Sequence, residues 1–218
     1  FSTEVNRGSA QKFPKTIQVR FVQVNVHEMS FLVYNLVIFP MIAGILIVNN
    51  DFVQFFLGQD FQDARYAIAI MVFRMFFIGW TNIMGMQILI PHNHFREFML
   101  STTIPAIFSV GLNLLLIPPL GYIGASIVSV ATEGLVWLIQ LYFTRSYLKE
   151  VKILPSMLKI FLAALLMYGS LHFMQAFINF SAVVNVLIFA VFGFVVYGGL
   201  ILVLRVLDFQ ELKSVLKK

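Results

Sequence analysis

The sequence predicts an all-α fold, a polytopic transmembrane helix bundle with about six spans, on three observations. Hydrophobic residues make up 60% of the chain and charged residues only 11%, whereas soluble domains contain about 25% charged residues. The 218 residues leave room for several bilayer crossings, since each crossing needs about 20 apolar residues. The long runs of Leu, Ile, Phe and Met lack the period-two alternation that marks the strands of an outer-membrane barrel.

Hydropathy divides the chain into six apolar segments, most of them joined by short connections. The segments are 29–49, 64–90, 98–117, 122–144, 155–177 and 181–204. The first connection, 49–62, mixes aspartates with phenylalanines and is typical of an interfacial turn. The predicted domains are an N-terminal cytoplasmic segment (1–28), a six-helix transmembrane lobe (29–204) and a basic cytoplasmic tail (205–218).

The first and third segments each contain a proline near the middle. Pro40 is followed one turn later by Gly44, and Pro105 interrupts the third segment. A proline inside a helix removes a backbone donor and permits a kink, which suits a bundle that moves. The alternative is that these prolines reflect their higher frequency in membrane helices generally.

All but two of the 15 lysines and arginines fall on one side of the predicted membrane. They are Arg7, Lys12, Lys15, Arg20, Arg96, Arg145, Lys149, Lys152, Lys159, Arg205, Lys213, Lys217 and Lys218. By the positive-inside rule both termini are cytoplasmic. The net charge of +5 therefore does not indicate nucleic-acid binding, because the basic residues are spread over short loops.

The chain begins with Phe1, without an initiator methionine or a signal-peptide pattern, and a charged stretch runs from there to Glu28. This beginning predicts that the sequence is a fragment of a longer chain, with further apolar spans upstream.

Two charged residues lie near the middle of predicted spans. Arg74 is central in the second span and Glu133 in the fourth, where a charge costs about 2.5–3.5 kcal/mol on insertion scales. Both belong to polar helix faces at a 3.6-residue period. The faces are Arg74, Ile78, Thr81, Asn82 and Gly85 in the second span; Thr102, Ser109 and Asn113 in the third; Ser126, Ser129, Glu133, Trp137 and Gln140 in the fourth.

These polar faces predict a substrate cavity between helices. Its candidate residues are Arg74, Asn82, Asn113, Ser129, Glu133 and Gln140. The alternative is that Arg74 and Glu133 form a buried ion pair that holds the bundle together without touching a substrate. Both roles are compatible, because a guanidinium released from a carboxylate is a good bidentate partner for a diphosphate.

No catalytic residue, cofactor or metal is predicted, and the chain is not expected to be an enzyme. The absence of cysteine excludes disulfides, thiolate metal sites and a cysteine nucleophile. His92 and His94 have a spacing that suits a metal, but no third ligand lies near them in the sequence, so a solvated turn is the better interpretation.

Several motifs resemble the polysaccharide (lipid-linked oligosaccharide, O-antigen type) flippases of the multidrug/oligosaccharidyl-lipid/polysaccharide exporter superfamily. The stretch from Asn113 to Ile127, with its Ile-Pro, Leu-Gly and Gly-Ala elements, is similar to their helix-turn-helix. Phe56 to Phe61 resembles their loop before a helix, and Gly85 to Pro91 resembles the cytoplasmic end of that helix. Pro40 also matches the pattern, and the similarity covers roughly residues 36–145.

The resemblance implies that this chain is the C-terminal lobe of a two-lobed transporter in the bacterial cytoplasmic membrane. Such a protein moves polyprenyl-diphosphate-linked oligosaccharide to the outer face by alternating access around a partly cationic cavity, to which Arg74 would contribute. Its implied partners are that lipid, the missing N-terminal lobe and a coupling cation. The alternative within the superfamily is a multidrug or small-solute antiporter, in which Glu133 would carry the coupling cation.

Two other classes are less well supported. A membrane-embedded transferase would need clustered acids or a His and Asp pair at a membrane face, and the nearest candidates, Asp51, Asp60 and Asp63, belong to a predicted outer loop. A purely structural six-helix protein would not need the polar faces.

Overall fold

The computed structural model describes residues 15–149, 151, 154–177 and 180–204, and no strand occurs among them. Its helices are α1 (Lys15–Phe56), α2 (Ala64–Asn82), α3 (Phe95–Leu148), α4 (Leu154–Gln175) and α5 (Ala182–Val203). A 3-10 turn at Gln59–Phe61 precedes α2, and a π-helix at Ile83–Leu89 continues it. The predicted all-α bundle is confirmed.

Five helical stretches are long and apolar enough to cross a membrane: Val26–Phe56, Ala64–Leu89 and the whole of α3, α4 and α5. The chain thus has the helices of a multi-pass membrane protein, as predicted. α1 extends beyond the predicted 29–49 span at both ends, so the first connection shortens to 57–63. Residues 1–14 and 205–218, in the predicted N-terminal segment and basic tail, lie outside the described residues.

α3 supplies two crossings because it folds back on itself at Gly121. A straight helix of its 54 residues would be about 80 Å long, far more than the roughly 30 Å of a hydrocarbon core. Gly121 has φ 55° and ψ −131°, backbone angles that favour glycine. Residues 39 positions apart then meet, since Gln140 Nε2 lies 3.2 Å from Ser101 Oγ. The two arms, 95–120 and 122–148, correspond to the predicted third and fourth spans.

Close packing at the turn of this hairpin depends on a second glycine. A Cβ on Gly124 would overlap the backbone carbonyl of Leu116 in the other arm. Gly124 therefore lets the two arms approach each other directly beyond the turn.

α1 is the central helix of the bundle. It contacts α2, the π-helix, α4 and α5, while α4 also packs on α5 and α3 packs on α2 and the π-helix. We call the end that holds the 90–94 turn, the C-terminal end of α3 and the N-terminal end of α4 the basal end. The end that holds residues 57–63, Gly121, the C-terminal end of α4 and the N-terminal end of α5 is the distal end.

Two side chains of α1, Tyr34 and Asn35, hydrogen-bond to α2 and fix its rotation against α1. The Tyr34 hydroxyl donates to the Met75 carbonyl and accepts from the Gly79 amide at 3.1 Å. One residue further along each helix, Trp80 Nε1 donates to Asn35 Oδ1 at 3.2 Å. With this face of α2 held on α1, Arg74 is left to face the second arm of α3.

Candidate functional site

The structure brings Arg74 of α2 and Glu133 of the second arm of α3 together in an ion pair. Arg74 donates to Glu133 Oε1 from both Nε, at 3.2 Å, and Nη2, at 2.8 Å. Arg74 and Glu133 are 59 residues apart in the sequence. They meet because α3 folds back at Gly121 and its second arm packs against α2. Pairing reduces the cost of holding either charge at mid-depth in a bilayer.

The pair is not sealed inside the bundle. The side chains of Arg74 and Glu133 keep 38% and 19% of their surface exposed. A partly exposed charge near the middle of a span is costly if it faces hydrocarbon. This face of the bundle therefore needs a polar or protein neighbour, not lipid, beside it.

Aromatic rings pack between α2 and the second arm of α3, one turn from Glu133. Trp137, one turn from Glu133, lies 5.7 Å from the Phe77 ring and 6.3 Å from the Trp80 ring, measured between centroids. The Phe77 ring also lies beside Gly134, at 3.7 Å from the position a Cβ would take there, an ordinary van der Waals distance. Trp137 Nε1 is buried without a hydrogen-bond acceptor among the described residues.

Gln140, the next polar residue along this stripe, is buried between the two arms of α3 at 1% exposure. Its Nε2 donates to Ser101 Oγ at 3.2 Å, and its Oε1 is buried without a donor in the described part of the chain. The side chain also lies against Gly85 of the π-helix. In this conformation Gln140 belongs to the helix interface and does not face an open cavity.

The other three predicted site residues do not contact the pair through hydrogen bonds. Ser129 Oγ donates to the Ala125 carbonyl at 2.9 Å within its own helix. Asn113 Nδ2 donates to Ser109 Oγ at 3.3 Å, again within one arm. Asn82 is exposed, at the junction of α2 with the π-helix. Of the six predicted residues, the structure thus joins Arg74 and Glu133 directly.

An apolar cleft of about 410 Å³ lies between α1, α2 and α4 and was missed by the sequence analysis. Its walls include Phe39, Phe73, Phe76, Phe77, Leu158 and Phe161. Phenylalanines are common throughout this chain, with 24 in all, so nothing in the pattern distinguishes those that line a cleft from those that face lipid. None of the six predicted site residues lines it.

The basal end gathers histidines, but not in a metal-binding arrangement. His27 Nε2 donates to the Gln87 carbonyl at 3.2 Å and His92 Nδ1 to the Ile88 carbonyl at 2.7 Å, so both bind the π-helix backbone. His94 Nε2 lies 3.0 Å from the Tyr147 hydroxyl. Within the described ranges no three His, Asp or Glu side chains are grouped to hold a metal ion.

No family model, curated protein or solved structure matches this chain. The site must therefore be interpreted from its own residues and geometry.

Proposed function

We propose that the chain is one lobe of a flippase that moves polyprenyl-diphosphate-linked oligosaccharide from the cytoplasmic to the outer face of a bacterial cytoplasmic membrane. The basal end then faces the cytoplasm, in accord with the positive-inside rule, since Arg96, Arg145 and Lys149 lie at that end. The motifs that resemble the polysaccharide flippases support the substrate class.

The observation that carries the proposal is the partly exposed ion pair of Arg74 and Glu133. A charged group at mid-span is tolerated beside protein or water and not beside hydrocarbon, so the exposed edge of this pair indicates a polar neighbour at the same depth. A guanidinium with more than a third of its side-chain surface open is available to a second anion. A diphosphate matches the forked donors of Arg74, of which Nε and Nη2 are now bound to the carboxylate.

The transport step needs no covalent chemistry. A charged, hydrated headgroup does not cross hydrocarbon unaided, so a polar face between two helical lobes must replace its water. In this proposal Arg74 exchanges Glu133 for the diphosphate when the headgroup enters, and the pair reforms when the headgroup leaves. The second lobe covers the face that exposes the pair.

The proposal is tested in cells that lack the gene. Lipid extracts are analysed for accumulated polyprenyl-diphosphate oligosaccharide, with wild type, Arg74→Ala, and the charge-reversed pair Arg74→Glu with Glu133→Arg restored in parallel. We expect wild type to clear the lipid and Arg74→Ala to fail. The reversed pair keeps the ion pair but moves the guanidinium to α3, so it separates stability from substrate binding. If cells with Arg74→Ala clear the accumulated lipid, Arg74 has a structural role and does not bind the substrate. If the lipid does not accumulate in the deletion strain, the flippase proposal is wrong.

The second candidate, a cation-coupled antiporter for drugs or small solutes, is favoured by one observation. Glu133 is the acidic residue nearest the centre of any described span, and one of its oxygens, Oε2, takes no part in the pair with Arg74. An antiporter would show solute efflux driven by a proton or sodium gradient and abolished by Glu133→Gln. The flippase proposal instead requires the lipid to accumulate when the gene is absent.

A further inference from the structure

The apolar cleft and the ion pair are neighbours on α2. Phe73 and Phe77 line the cleft, and in the sequence Phe73 directly precedes Arg74 and Phe77 follows it by three positions. On a 3.6-residue helix Phe77 lies between the cleft-facing side of α2 and the side that bears Arg74. The same ring packs against Gly134, the residue after Glu133. One aromatic layer therefore separates the cleft from the charged site.

The cleft has the character of a hydrocarbon site. Its lining is entirely apolar, with Phe39 and Ile42 of α1 at its base and Leu158 and Phe161 of α4 forming the wall opposite α2. Phe161 packs edge-on against Phe39, with 5.5 Å between ring centroids, which keeps α1 and α4 together at the base. The cleft is not enclosed, so a ligand can reach it. A ligand that binds here must offer apolar surface and no buried polar group.

We propose that the cleft binds the first isoprene units of the transported lipid while Arg74 binds its diphosphate. This inference rests on the proposed flippase function and adds the place where the lipid's chain is held. A single ligand with an anionic head and an apolar chain complements both neighbours at once, the cation by charge and the cleft by its phenylalanine walls.

The volume of the cleft favours a lipid with one apolar chain over a lipid with two. A water-sized group fills about 30 Å³, so 410 Å³ accommodates roughly a dozen chain carbons. A polyprenyl diphosphate can place the start of its single chain in this volume, whereas a phospholipid can place only one of its two acyl chains there and leaves the other in the bilayer. The methyl-branched chain also offers broad apolar contact to the aromatic rings that line the cleft.

The chain's own tryptophans report on this site. The protein contains two tryptophans, and both pack on Phe76 of the cleft wall, with Trp80 at 5.5 Å and Trp137 at 6.5 Å between ring centroids. A bromine atom on a bound chain quenches tryptophan fluorescence at short range. The full chain is therefore reconstituted in nanodiscs of unlabelled phospholipid and titrated with farnesyl diphosphate that carries bromine on its chain.

We expect saturable quenching by this probe and much weaker quenching by phosphatidylglycerol brominated on its acyl chains at the same mole fraction. Leu158→Phe adds a ring to the cleft wall and should raise the half-saturating mole fraction about tenfold, because the ring takes space that the bound chain would fill. Leu166→Phe is the matched control, because both leucines are exposed on α4 and only Leu158 lines the cleft. Arg74→Ala should weaken binding of the brominated farnesyl diphosphate and leave binding of brominated farnesol unchanged.

Equal quenching by brominated phosphatidylglycerol would overturn the assignment to an isoprenoid chain. Quenching that does not saturate, or that Leu158→Phe leaves unchanged, would overturn the cleft as the site. If Arg74→Ala binds the diphosphate probe as well as wild type does, Arg74 does not hold the diphosphate and the proposed joint site is wrong. None of these results depends on lipid accumulation in cells, so a failed cleft assignment remains distinguishable from a failed flippase proposal.

Discussion

The hydroxyl of Tyr197 on α5 donates a 2.8 Å hydrogen bond to the backbone carbonyl of Leu36 on α1. Leu36 lies four residues before Pro40, whose missing N–H would otherwise be the helical donor to that carbonyl. A free carbonyl is expensive in hydrocarbon, where no water replaces the lost donor. Tyr197 thus supplies from another helix the hydrogen bond that proline removes.

Replacing Tyr197 with Phe should destabilise the protein by about 0.6–1.7 kcal/mol, from the average to the maximum measured for hydrogen bonds between membrane helices. The free energy of unfolding in detergent checks this. Tyr168→Phe is the control, because within the described residues that hydroxyl has no hydrogen bond while its ring stacks near His172.

The double-mutant cycle with Pro40→Ala isolates the cause. Alanine restores the backbone donor to Leu36, so Tyr197→Phe should cost less in the Pro40→Ala background than alone. Equal costs in both backgrounds would mean that Tyr197 acts through packing and not through this carbonyl.

Gly79→Ala should loosen the contact between α1 and α2. A Cβ at Gly79 would overlap the Tyr34 ring, and forcing extra atoms into a packed interface costs about 1–3 kcal/mol. Gly111→Ala is the matched control, because a Cβ at that exposed helical glycine meets nothing within 4 Å. Unfolding in detergent should show a clear loss for the first and little change for the second. If Gly79→Ala is no less stable than Gly111→Ala, the Tyr34 contact does not need a glycine at this position.

Removing one member of the charged pair should cost more stability than removing both. Glu133→Gln leaves Arg74 without its counter-charge, and the expected loss is about 1–3 kcal/mol, below the value for a fully buried pair because Arg74 is partly exposed. Adding Arg74→Gln should recover most of that loss, since no isolated charge remains. If the double variant is no more stable than Glu133→Gln, the pair contributes through contacts other than charge.

The helical segments were predictable from sequence, and the pairing of their side chains was largely not. Runs of about 20 apolar residues must be helical in a bilayer. This rule placed five of the predicted segments to within a few residues, whereas α1 extends well beyond the predicted 29–49 at both ends. The central charges Arg74 and Glu133 were equally conspicuous, because any charge in a span needs a partner. The turn at Gly121 also fell where the predicted third and fourth spans separate.

Contacts between apolar residues could not be predicted from the sequence. The Tyr34 contact with Gly79 and the phenylalanine cleft depend on how the helices rotate against each other. Rotation is set by local shape, and a helix that is apolar on all sides gives no periodic signal of which face is inward. Gln140 shows the same limit among polar residues, since its position on the stripe of Glu133 did not reveal that it lies between the two arms of the hairpin.

Gln140→Leu provides a test of that placement. The Gln140 Oε1 atom is buried without a donor among the described residues, and an unsatisfied buried group costs about 1–3 kcal/mol. Leucine of similar size removes this cost, and Ser101 keeps its 2.7 Å bond to the Phe98 carbonyl. We therefore expect unchanged or higher stability in detergent, together with normal clearing of the lipid in cells, because the buried side chain does not reach the headgroup in this conformation. A stable Gln140→Leu variant that accumulates lipid would contradict this and would mean that the two arms of α3 separate during transport to expose Gln140.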